Sequence, residues 1–164
     1  MARKKVVIVG AGFGGLAAAK ALRNSPATVI LIDRTNHHLF QPLLYQVATS
    51  VLSPSQIAAP VRGILRRQEN ATVILGEVTG VDKNKKCIFS SDADRENVPI
   101  QYDYLVLATG VTHSYFGHNE FAQYAPGLKT LADAVAVRNK ILRRSNKPKR
   151  RTIQVATVTF LLSF

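Results

Sequence analysis

This sequence is short of cysteine and of acid, and it contains no long apolar run. Cys87 is the one cysteine, so no disulfide can form within the chain. It lies in a segment of β character with no second cysteine or histidine nearby, and so reads as a core or sheet-edge residue, not a redox centre. No stretch of eighteen apolar residues occurs, which leaves no candidate for a membrane-spanning helix. The opening Met1-Ala-Arg-Lys-Lys5 runs straight into an apolar segment without a signal-peptide pattern, so a cytoplasmic location is expected. His37, His38, His113 and His118 have no partners at ligand spacing. No metal site is expected, and all four read as structural or solvent-facing.

The shortage of acid is uneven. Ten Asp and Glu stand against 22 Lys and Arg, a formal net charge of +12. Residues 1–142 contain all of the acids, whereas residues 143–164 contain six basic residues and none. Half of the excess therefore lies in a short terminal block, Arg143 to Arg151, and says little about a folded domain. Such a block could dock on anionic lipid or on nucleic acid, and nucleic-acid binding through it would be strongly salt-dependent. At 164 residues and 46% apolar, the chain is long enough for one domain with a real core.

The most informative segment is Val6 to Gly15, Val-Val-Ile-Val-Gly-Ala-Gly-Phe-Gly-Gly. Four apolar residues make a buried strand, and Gly10, Gly12 and Gly15 follow at the spacing G-x-G-x-x-G. A helix is expected over Leu16 to Arg23, then a second strand from Thr28 to Ile32 that closes on Asp33. This is the dinucleotide-binding βαβ fingerprint in its full context. Gly10 permits the tight turn, Gly12 lets backbone approach a pyrophosphate, and Gly15 lets helix and strand pack closely. Asp33 suits an adenosine ribose, while Arg34 beside it leaves a 2′-phosphate open. The fingerprint alone does not choose between FAD and NAD.

Downstream, Pro42 opens a helix that places Leu43, Leu44 and Val47 on one face. Ser53 before Pro54 reads as the N-cap of a further helix running towards Arg67. Ala71 to Asp82 is β-rich, and the turn Lys83 to Lys86 returns through Cys87 as a hairpin. After a polar loop from Ser90 to Asn97, the run Val98 to Ala108 ends in an apolar strand that stops at Thr109-Gly110. A last helix is expected over Thr130 to Leu142. The fold class read from this order is α/β. It is a Rossmann-like half-domain with a small antiparallel β insertion, as in the first nucleotide-binding half of a two-dinucleotide flavoprotein.

Several stretches resemble bacterial type II NADH dehydrogenase: Gly10 to Leu16, Ile32 to Thr49, Leu52 to Pro54, Tyr102 to Gly110, His113 to His118 and Ala125 to Leu131. The run from His37 to Thr49 is far more specific than the glycine fingerprint. That family passes electrons from NADH through FAD to a membrane quinone, on the cytoplasmic face of the inner membrane. The resemblance implies that FAD is the cofactor and NADH the co-substrate. It puts Gly10, Gly12, Phe13, Gly14 and Gly15 around the pyrophosphate and Asp33, with Arg34 beside it, at the ribose. It also implies that Gln41 to Thr49 lie near the flavin, that Val78 flanks the adenine, and that Ala108, Thr109 and Gly110 pass beside the cofactor. Core packing is an equal expectation for Leu43, Leu44 and Tyr45. No residue is assigned a catalytic acid–base role, because the flavin carries the chemistry.

The resemblance stops after Leu142. Members of the family continue through an acidic helix into a second βαβ unit for NADH, whereas this sequence turns basic. The expected division is therefore 1–142 as the FAD-binding part and 143–164 as a basic, non-native or disordered tail. A shifted reading frame or truncated gene product is the corresponding hypothesis. Resequencing tests it, since an intact frame would rule it out. Two functional expectations follow: an FAD-dependent NADH:quinone oxidoreductase, or a non-catalytic FAD- or ADP-binding remnant of one.

Overall fold

In the computed structural model, which describes residues 3–145, the opening apolar run forms strand β1 (Lys4–Val9). Helix α1 (Phe13–Ala21) and strand β2 (Ala27–Asp33) complete the first βαβ unit. Next come a short strand β3 (His37–Leu39), a 3-10 turn at Gln41–Leu43 and helix α2 (Leu44–Ala48). Helix α3 (Pro54–Ile57), strand β4 (Ala58–Pro60) and helix α4 (Val61–Leu65) follow. Five strands then succeed one another: β5 (Ala71–Leu75), β6 (Glu77–Asp82), β7 (Cys87–Ser91), β8 (Val98–Gln101) and β9 (Tyr104–Leu107). A 3-10 turn at Asn119–Gln123 precedes the closing helix α5 (Leu131–Ser145).

The central sheet is parallel with strand order β5-β2-β1-β9. Successive side chains of a strand point to opposite faces, and this sorts the apolar residues of β1 and β2 into two cores. Val6, Ile8, Val29 and Leu31 face α1 and α4, packing with Leu16, Ala19, Val61 and Leu65. Val7, Val9 and Ile32 face the other way, onto Ile88 of the antiparallel sheet β6-β7-β8. Burial on both faces is why these strands read as unbroken apolar runs. Among the described residues β9 has no neighbour on its outer side, and its Tyr104 and Leu107 side chains are exposed. A third cluster joins α2 to α5 through Leu44, Val47, Ala48, Ile57 and Ala134.

Two expectations are corrected. The helix predicted from Ser53 towards Arg67 is broken into α3 and α4 by strand β4, which pairs antiparallel with β3. Pro60 lacks the N–H that an interior helical position needs, and it lies at the strand's end. The run Val98 to Ala108 is not one strand but two. β8 belongs to the antiparallel sheet and β9 to the parallel one, with Tyr102 and Asp103 between them. Asp103 anchors this crossing by accepting from Lys5 N–H at 2.7 Å and pairing with Lys4 Nζ at 3.0 Å.

Polar side chains close the element ends. Buried Gln68 donates to the Ala19 carbonyl of α1, and Asn70 donates to the carbonyls of Leu22, Ser25 and Ala27. At the start of α5, Asp133 accepts from the N–H groups of Thr130 at 2.8 Å and Lys129 at 3.1 Å, while Thr130 Oγ1 accepts from Asp133 N–H. Partial burial pushes the Asp133 carboxyl upward, but these N–H donors outweigh it and hold the group below the usual carboxylate range. A carboxyl held low in the folded state contributes stability above its unfolded titration range and loses it as pH falls through its folded one. An acid titration followed by circular dichroism should therefore show α5 loosening below about pH 4. Asp133→Asn should flatten that dependence, and an identical pH profile for the variant would refute the role of this cap.

Candidate dinucleotide-binding site

The site is built where β1 and β2 end and α1 begins. Gly10 has φ of +101°, in the region that favours glycine, and a Cβ there would meet the Ala108 carbonyl oxygen at 2.3 Å. A Cβ on Gly15 would stand 1.7 Å from the Gly10 carbonyl oxygen. These two glycines are required by the protein's own backbone. Gly12 differs. Its φ of −68° and ψ of −167° suit any residue, and a Cβ there would meet no atom within 4 Å. The protein's own packing thus does not explain this glycine, whereas a ligand approaching the backbone does.

Gly12 is the N-cap of α1 and has no side chain to satisfy the first N–H groups of the helix, and no acid lies in the first turn. These open donors and the positive end of the helix dipole suit an anion such as a phosphate. Asp33, at the end of β2, accepts from Ala11 N–H at 2.5 Å through Oδ2. Its Oδ1 accepts from Thr35 N–H at 2.6 Å and from the Thr35 hydroxyl at 2.7 Å. A carboxylate offers about four acceptor positions, so one stays available after these three bonds. Such an acceptor fits a ribose hydroxyl. Arg34 is exposed beside it.

The structure draws together some of the predicted residues and separates others. Gly10, Gly15, Ala108 and Asp33 form one contiguous group, with Ala108 N–H donating to the Val9 carbonyl at 2.8 Å. Gly14 faces the Ala108 Cβ, at 3.9 Å from an added methyl. Val78 is half-buried in β6, just past Gly76, whose N–H donates to the Asp33 carbonyl. Thr109 and Gly110 are exposed past the end of β9, with Gly110 at φ of +72°. Gln41 and Thr49 belong to the helical cluster: Gln41 donates to the Lys129 carbonyl, and the Thr49 hydroxyl to the Tyr45 carbonyl. Among the described residues no group of three or more His, Cys, Asp and Glu could hold a metal ion. No helix among them is long and apolar enough to cross a membrane.

The sequence did not reveal what surrounds the glycine loop. Phe13 is 52% exposed yet packed edge-on against His38, with ring centroids 5.0 Å apart, and against Phe40 at 5.7 Å. These contacts depend on the β3–β4 pairing, for which three residues of strand give no sequence signal.

Comparison with known proteins agrees with this fold. The family model for pyridine nucleotide-disulphide oxidoreductases matches residues 4–155. The type II NADH:quinone oxidoreductase Ndh of Mycobacterium tuberculosis is 47% identical over 155 residues, covering 91% of this chain and 33% of that protein. NdhA of the same organism is 51% identical over 140 residues, covering 85% and 30%. Among solved structures, NDH2 from Plasmodium falciparum in complex with NADH superposes with a TM-score of 0.76 at 28% identity, over 90% of this chain and 31% of that one. The sulfide:quinone oxidoreductase of Aquifex aeolicus gives 0.75 at 26% identity, over 88% and 33%. The chain therefore spans about a third of the length of these relatives. The chain, matched over residues 4–155, belongs to the pyridine nucleotide-disulphide oxidoreductase family.

Proposed function

We propose that this chain is the FAD-holding part of a type II NADH:quinone oxidoreductase. The observation that carries the proposal is Gly12, a glycine that no packing contact or backbone angle requires, at the N-terminus of α1 beside Asp33. The 47% and 51% identity to two type II NADH:quinone oxidoreductases then favours FAD over other dinucleotides. In this reading the N–H groups from Gly12 to Gly15 hold the pyrophosphate and Asp33 takes the ribose, with Arg34 outside it. Val78 flanks the adenine, Ala108 to Gly110 line the cofactor, and Gln41 to Thr49 approach the flavin. When bound, the flavin accepts hydride and releases electrons one or two at a time. The chain's own residues bind, orient and shield it. NADH as reductant and quinone as acceptor belong to the same proposal.

A second reading is a chain that binds FAD or ADP at this loop without turnover, resting on the same glycine loop and Asp33. Division at Leu142 is part of both readings; that boundary falls inside α5. The basic block from Arg143 onward is a candidate for weak contact with an anionic membrane, and beyond Ser145 it lies outside the described residues. One absorbance measurement tests both readings. Purified chain reconstituted with FAD should keep the flavin bands through gel filtration. Bleaching by NADH supports the dehydrogenase reading, and an unchanged spectrum supports binding without turnover. A colourless protein that takes up neither FAD nor ADP overturns both.

A further inference from the structure

We propose that His38 is a positioning residue for the phosphate-facing loop, aiming the Gly12 N–H through the carbonyl of Ala11. The inference rests on the dinucleotide reading above. His38 Nδ1 lies 3.0 Å from the Ala11 carbonyl oxygen. A carbonyl only accepts, so Nδ1 carries the proton and donates. The Ala11 C=O and the Gly12 N–H belong to one planar trans peptide and point in opposite directions. Holding the oxygen on His38 therefore turns the Gly12 N–H away from β3. Among the described residues that N–H has no acceptor.

The peptide on the other side of Ala11 is fixed as well, because its N–H donates to Asp33. Two strands thus clamp one residue: β2 through a carboxylate and β3 through an imidazole. A loop of Gly10, Gly12, Gly14 and Gly15 needs such external restraint, since glycine resists few backbone rotations by itself. His38 in turn is seated by its β3 register opposite Ala59 and by the edge-on Phe13 ring. The adjacent His37 makes no comparable side-chain bond among the described residues. Pre-aimed donors lower the ordering cost of binding, which is how a residue that never touches the ligand raises affinity.

The test compares His38→Leu, which keeps bulk against Phe13 but has no donor, with His38→Asn, whose amide Nδ2 occupies the place of Nδ1. His38→Gln, with its amide one bond too far out, replaces the leucine variant if that fails to fold. Two readouts are taken on the full chain: FAD and ADP dissociation constants, and hydrogen exchange of the Ala11 amide without nucleotide. His38→Leu should weaken both nucleotides about tenfold and speed Ala11 exchange about tenfold, with core sheet amides unchanged. His38→Asn should restore most of both. Unchanged Ala11 exchange in His38→Leu, or wild-type affinity for both nucleotides, overturns the inference. If the wild type binds neither nucleotide, the functional reading fails and the affinity role of His38 falls with it. The exchange data then report only on the loop.

Discussion

Gly15→Ala is expected to destabilise the fold by about 3 kcal/mol or more, whereas Gly12→Ala should leave stability within about 0.5 kcal/mol of wild type. The two positions are three residues apart in one motif, yet they fail for different reasons. A methyl on Gly15 would sit 1.7 Å from the Gly10 carbonyl oxygen, so α1 must move away from β1 and open the core around Leu16 and Ala19. No rotamer relieves this, because both colliding groups are backbone-attached. A methyl on Gly12 meets nothing within 4 Å and needs no unusual dihedral. It would, however, occupy the space in which a pyrophosphate must reach the open N–H groups, and FAD affinity should fall by about 10- to 100-fold. Urea unfolding and FAD titration on both variants separate the cases. Gly12→Ala binding FAD as tightly as wild type would place the phosphates elsewhere and remove the main support for the proposed function.

Asp33→Ala is expected to damage stability and binding together. Its carboxylate satisfies Ala11 N–H, Thr35 N–H and the Thr35 hydroxyl, and the Ala11 residue is only 2% exposed. Removing the acceptor leaves the Ala11 N–H stranded where water has little access, at a cost of about 2–3 kcal/mol. Asp33→Asn keeps one oxygen and should lose roughly half as much. Both variants should weaken FAD by about tenfold or more, through the lost ribose acceptor and the loosened loop. Urea midpoints for the two variants should fall in the order wild type, Asn, Ala. If Asp33→Ala unfolds at the wild-type midpoint, the carboxylate does not organise the turn and Asp33 is left with a ligand role at most.

What could be read from the sequence tracks how local the determining physics is. β1, the glycine turn, α1 and β2 follow from neighbours in sequence: an apolar run buried on both faces, three spaced glycines, a closing acid. The hairpin through Lys83 to Lys86 is equally local. The missed features depend on distant partners. α3 and α4 separate because Ala58–Pro60 finds the strand His37–Leu39, and the run Val98 to Ala108 divides because its two ends join different sheets. Within the site, the glycines and Asp33 were legible because each answers a one-residue constraint. The His38 bond to Ala11 was not, because it needs three segments brought together by β3. Gln41 and Thr49 were picked out through family resemblance, and their side chains bond to the Lys129 and Tyr45 carbonyls.

The wall behind Gly10 is Ala108, carried in by β9, and the bond that secures the crossing into β9 joins Lys5 to Asp103, 98 residues away. During synthesis the glycine loop emerges well before the strand that backs it, which is made only after the whole β insertion. Closing so long a loop gains little until the last pairing forms, which favours late and slow completion. The glycine loop is thus translated before its backing strand and finished together with it, so nucleotide capture by this loop would report that the entire segment has folded.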